Sequence, residues 1–73
     1  MPNNLSDIKK RETINAIVIF KRDHGYAPTV DELGAILGIT KNAAWNRLGH
    51  LRDDGRVTWK PGSPRTLVVV FDQ

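Results

Sequence analysis

Apolar residues recur at two periods, and the switch between them divides the chain into helices followed by strands. Ser6 or Asp7 is placed to cap a first helix, with acidic charge near its positive end. The helix runs to about Asp23 and stops at Gly25, a residue suited to the left-handed conformation that ends helices. Ile14, Ile17 and Val18 form its predicted core stripe and Phe20 widens it. Ile17-Val18-Ile19-Phe20 is too broad for one helix face, so Ile19 is either covered on its flank or left exposed, where it is a candidate protein contact. Pro28 pushes Ala27 out of helical geometry. Thr29 with Glu32 three places on is a capping box that opens a second helix, which runs to about Leu37 and ends at Gly38. Val30, Leu33, Ile36 and Leu37 are its predicted core positions. Ile39 tucks inward, and Thr40 caps a third helix that reaches about Arg52 and carries Ala44, Leu48 and Leu51 at i, i+4 and i+7. Two helices joined by a short glycine-containing turn form the helix-turn-helix signature.

Beyond Asp53-Asp54-Gly55, which reads as a turn, the period changes to two. Val57 and Trp59 alternate with Arg56, Thr58 and Lys60, which predicts a strand with Trp59 facing the core. Pro61-Gly62-Ser63-Pro64 is a loop by composition, and Arg65 to Phe71, rich in β-branched residues, is a second strand with Leu67 and Val69 inward and Phe71 continuing the stripe. A lone hairpin is marginal in water, so this one is expected to lie on the helices as a wing whose tip carries Lys60 and Arg65. The predicted class is mainly α with a small antiparallel β-hairpin. It is a winged helix-turn-helix, three helices plus a two-stranded wing, in a single domain over residues 6–71 after a flexible N-terminus at 1–5.

Composition narrows the chemistry. Seventy-three residues make one small domain. Cysteine is absent and the two histidines, His24 and His50, have no ligand pattern around them, so no metal or other cofactor is expected. Asp53 and Asp54 adjoin a helix-ending glycine rather than a histidine or a third carboxylate, and with no nucleophile–base pair an enzyme is not expected. No apolar run is long enough for a membrane span and the N-terminus does not read as a signal peptide, which makes a cytoplasmic protein the expectation. Charge is segregated. Between Lys41 and Arg65 six basic residues stand against two acidic ones, whereas the remainder carries five basic and six acidic. That distribution points to a polyanionic partner held by the third helix and the predicted wing.

The face of the third helix opposite its apolar stripe carries Asn42, Asn46, Gly49 and His50: side-chain amides, an imidazole and a glycine that permits close approach. Amides that both donate and accept are the groups that read base edges. Trp45 lies between the two faces and has two readings: a tryptophan packed on a neighbouring element, or a contact to a base, the sugar-phosphate backbone or a second protein. Arg47 and Lys41 flank the same helix as phosphate candidates, Lys60 and Arg65 do so at the wing, and Tyr26 and Thr29 at the positive end of the second helix.

The order of motifs adds a family. Gly25-Tyr26-Ala27-Pro28-Thr29 followed by Glu32, then Leu37-Gly38-Ile39, Asn42-Ala43-Ala44 with Leu48 and Leu51, and Gly55, resembles the N-terminal DNA-binding domain of LexA repressors over about residues 5–70. The resemblance implies that the third helix enters the major groove with Thr40, Asn42, Ala43, Trp45 and Asn46 at base edges; position and side-chain chemistry make Tyr26, Thr29, Lys41, Arg47, His50, Lys60 and Arg65 the candidates for backbone contacts. Trp45 and Asn46 stand where the family's best-known member has acidic residues, and the turn before the third helix is one residue shorter. The implied operator therefore differs from the family's damage-response box. The family's self-cleaving C-terminal domain has no counterpart in these residues, which implies either a fragment or a stand-alone regulator of the kind that phages and mobile elements carry.

The expected function is sequence-specific binding of double-stranded DNA by a repressor-like transcriptional regulator, as a monomer or as a homodimer on DNA. Two alternatives stay open on the sequence. One is a winged-helix adapter that docks a larger protein partner through Ile19 and Trp45, as a phage-encoded modulator of a host protein would. The other is an excisionase-like architectural DNA binder.

Overall fold

The structure, a computed structural model, describes residues 6–70. The expectations for residues 1–5 and for Phe71 lie outside that range. Three helices, α1 (Asp7–His24), α2 (Val30–Leu37) and α3 (Lys41–Asp53), precede an antiparallel pair of short strands, β1 (Val57–Thr58) and β2 (Val68–Val69). Val57 pairs with Val69 and Thr58 with Val68.

Each helix starts where a side chain satisfies an orphan amide. Ser6 accepts from the Lys9 amide, and Thr40 accepts from the Ala43 amide at 3.1 Å. Thr29 and Glu32 form the full reciprocal box at 3.1 and 2.9 Å. Gly38, at φ 71°, closes α2 and turns the chain. Inside α2, Gly34 is buried against that turn: a Cβ there would stand 3.1 Å from the Ile39 carbonyl oxygen. The absence of a side chain at Gly34 therefore lets α2 and the turn into α3 close on each other.

The core is built from Ile17, Ala27, Leu33, Leu48, Leu51, Val57 and Leu67, with Ile14, Val30, Leu37, Trp59 and Val69 packed around it. Two sequence expectations are corrected. Val18 is 37% exposed and Ile36 51% exposed. The buried face of α1 runs through Lys10, Thr13 and Ile17, so Val18 falls roughly 100° off its centre. In α2 the inward face is Val30, Leu33, Gly34 and Leu37, which leaves Ile36 a similar angle away. Ile19 is exposed rather than covered on its flank.

Lys10 and Thr13 are polar residues on a core stripe, and each is satisfied. The Lys10 ammonium donates to Asp54 Oδ2, tying the start of α1 to the end of α3. The Thr13 hydroxyl donates to the Lys9 carbonyl at 2.8 Å. The Lys10 ammonium holds the Asp54 carboxyl below its usual range.

The wing is shorter as a ladder than its sequence suggests. Beyond Thr58 and before Val68 the chain leaves strand geometry, and Arg65 sits at φ 61°, in the left-handed region that no strand residue occupies. A hydroxyl replaces the ladder there: Thr66 Oγ1 accepts from the Lys60 amide at 2.9 Å and lies 3.0 Å from the Ser63 carbonyl.

Candidate nucleic-acid interface

The axis of α3 separates three surfaces. Ala44, Leu48 and Leu51 are fully buried and seat the helix on the core. Asn42 and Asn46 lie on the opposite side, both exposed, with the half-exposed Gly49 beside them. Among the described residues neither asparagine amide has a side-chain hydrogen-bond partner, so both are presented to solvent with donor and acceptor free. Asp53, read in the sequence as part of a turn, is the last residue of α3 and falls on this face, so its acid-free part ends before Asp53.

The flank toward the wing carries Lys41, Trp45 and Arg52. Trp45 meets Trp59 edge to face, with ring centroids 5.7 Å apart. The Arg52 guanidinium lies over the Trp59 ring at 4.4 Å from its centroid. Trp59 is thus gripped by two α3 side chains on the same flank, and this sets where the wing lies against the helix. Trp45, 42% exposed, takes the packed reading in part: one edge meets the wing and the rest of the ring remains open.

On the far flank Arg47 turns toward α1. Arg47, a phosphate candidate by sequence, is engaged within the molecule. Its side chain is 12% exposed, with Nη1 3.8 Å from Glu12 Oε1 and 3.4 Å from Thr13 Oγ1. A guanidinium lying so close to the inward face of α3 meets α1 before it can reach solvent, so the structure makes it a tie between helices. His50 is half-buried on the same side.

Between the start of α2, the start of α3 and the wing lies a cleft of about 400 Å³. Its walls bring together five residues singled out from sequence: Thr29, Lys41, Trp45, Lys60 and Arg65. They are not equivalent. Lys41 is paired only loosely with Asp31, at 3.6 Å with both side chains well exposed, a geometry worth about 0–1 kcal/mol. Lys60 has no carboxylate partner among the described residues. Arg65, also a phosphate candidate by sequence, is engaged inside the molecule. Its two terminal nitrogens meet the two Glu32 oxygens at 2.9 and 3.0 Å. One of them also donates to the Ala27 carbonyl, and the guanidinium lies over the Tyr26 ring at 4.5 Å. Such a fork-to-fork pair is directional as well as attractive. It holds the Glu32 carboxyl below its ordinary range, with the Thr29 amide adding to the effect, and raises the pKa of Arg65 in return. Tyr26 itself meets Phe20 edge to face and His24 at a tilt, and those two rings stack on each other at the end of α1.

Of the base-contact set, Asn42 and Asn46 are exposed on one side of α3, Thr40 is exposed as its N-cap with the hydroxyl accepting from Ala43, Ala43 is half-buried at its α1 edge, and Trp45 stands at its wing edge. Sequence reasoning passes over Lys10, Thr13, Gly34 and the Arg52–Trp59 contact. Helical spacing of positions 10, 13 and 17 is the available signal for the first two. The others depend on contacts between elements, which no local pattern carries.

Three helices, a capped helix-turn-helix and a wing packed on the exposed-amide helix define this chain as a winged helix-turn-helix protein. The LexA DNA binding domain family matches residues 4–66, and the chain belongs to that family. It is 35% identical over 72 residues to the LexA repressor of Lacticaseibacillus casei (strain BL23), and equally to that of Lacticaseibacillus paracasei. Each match covers 94% of this chain and 34% of the relative, so the chain spans about a third of the length of these repressors. Among the described residues no group of three or more metal-ligating side chains is assembled, and no helix is long and apolar enough to cross a membrane.

Proposed function

We propose that the chain binds duplex DNA sequence-specifically as a repressor-like transcriptional regulator, with α3 in the major groove and the wing along the backbone. The observation that carries this reading is the free amide pair of Asn42 and Asn46 on the solvent face of α3. An asparagine amide can pair bidentately with adenine, and two at i and i+4 reach successive positions along a groove. Thr40 extends the reading edge at the helix start, with Ala43 beside it suited to a thymine methyl. Lys41, Lys60 and the positive end of α2 at Thr29 flank this edge and supply the phosphate contacts. The two Lacticaseibacillus relatives are repressors by name, which supports the regulatory reading.

A mobility shift on random-sequence duplex tests it. Binding is expected at low salt and is expected to weaken linearly in log–log form as salt rises. Selection from a randomised pool should then enrich a short motif; a palindromic motif would identify a dimer on DNA. Absence of binding at low salt would rule the reading out.

A further inference from the structure

Five of the six glycines have an intramolecular reason to be glycine. Gly25, Gly38, Gly55 and Gly62 have positive φ, and a Cβ on Gly34 would crowd a backbone carbonyl. Gly49 has neither. It lies inside α3, four residues before the helix's last residue, is absent from the positive-φ set, and a Cβ there would meet nothing within 4 Å. Proline aside, glycine is the residue that weakens a helix interior most. A chain that keeps one inside this helix, with open space beside it, accepts that weakening for something outside the fold.

Position supplies the rest. Asn42, Asn46 and Gly49 fall within roughly 60° of one another around the helix, and the rise from the first to the last is about 10 Å, comparable to the major groove's width. Asparagine is short, so two asparagines reach base edges only if the helix backbone itself comes close. A side chain at 49, on the same face, would hold it off. Asp53 marks the end of the contact: it lies about 6 Å further along the same face, and its carboxylate is repelled by phosphates.

We propose that Gly49 is a close-approach position, where the backbone of α3 comes against the DNA when the asparagines are seated. This rests on the DNA-binding reading and deepens it. The contact belongs to the specific complex alone, because only there is the helix fully inserted.

The test is Gly49→Ala, measured on a duplex that the wild-type chain selects from a randomised pool and on random-sequence duplex. Thermal melting should show the variant at least as stable as the wild type. Affinity for the selected duplex should fall tenfold or more, affinity for random duplex should change less than twofold, and the salt slope should stay the same. Equal affinity of variant and wild type for the selected duplex overturns the proposal while leaving the DNA-binding reading intact. A lowered melting temperature overturns it too, since the space beside Gly49 would then not be open. A wild-type chain that selects no sequence overturns both.

Discussion

Two cations near the wing tip look alike in the sequence and differ in the fold. Arg65 is held by both Glu32 oxygens, the Ala27 carbonyl and the Tyr26 ring, whereas Lys60 has no carboxylate partner among the described residues. Lys60→Ala is therefore expected to flatten the salt dependence of DNA binding by about one unit of slope without lowering the melting temperature. Arg65→Ala is expected to do the reverse, lowering the melting temperature and leaving the slope unchanged. A salt titration beside a melting curve for each variant separates the two roles, and a flattened slope for Arg65→Ala would return it to the phosphate set. The same ion pairs set a response to acid. Glu32 and Asp54 have carboxyl pKa values lowered in the fold by Arg65 and Lys10. Their contribution is thus fully present above the ordinary carboxylate range, about pH 4, and is lost as pH falls from there through the lowered values. In urea titrations across pH, Glu32→Gln and Asp54→Asn should be less stable than the wild type at neutral pH and converge on it in acid. A difference that persists at the lowest pH would place the origin of the effect elsewhere.

At the scale of elements, the helix-turn-helix depends on how closely α2 meets the turn into α3. Gly34 is expected to be intolerant for that reason. Alanine is favoured over glycine in a helix by about 1 kcal/mol, yet Gly34→Ala should destabilise, because the atom it would crowd at 3.1 Å is the Ile39 carbonyl and not a flexible side chain. Chemical denaturation checks this, and a stabilised variant would show that the turn can move aside. The caps of all three helices and the glycines ending the first two are legible in the sequence because capping is local chemistry: Ser6, Thr29 with Glu32, and Thr40 act within three residues. The buried faces are less legible. Lys10 and Thr13 look like surface residues until their partners, Asp54 and Arg47, arrive from α3 and its end. Val18 and Ile36 look like core residues, but lie off the centre of the face that packs. The strands are shorter than their sequence suggests because β-branched residues favour extended geometry on average, while Arg65's left-handed backbone and Thr66's hydroxyl bonds are set by the closing of one particular loop. In the candidate interface, the amide face of α3 follows from helical periodicity alone. The fates of Arg47, Arg65 and Trp45 depend on α1, α2 and the wing.

Over the whole molecule, every element contributes to holding one face of α3 toward solvent. α1 grips one flank through Arg47 and, through Lys10, the helix end at Asp54. The wing grips the other through Trp59, and α2 is locked to the wing by Glu32 and Arg65. What remains unengaged is the row of Asn42, Asn46 and Gly49, with Lys60 and the loosely paired Lys41 beside it. The central claim is that this row reads sequence, and selection from a randomised duplex pool with the wild type and with Asn46→Ala tests it most directly. The wild type is expected to enrich one short motif. Asn46→Ala is expected to enrich the same motif with one position relaxed, at a cost of about 1–3 kcal/mol against the wild-type base at that position. Identical base preferences in the two selections, or equal loss of affinity on every sequence, would contradict the claim.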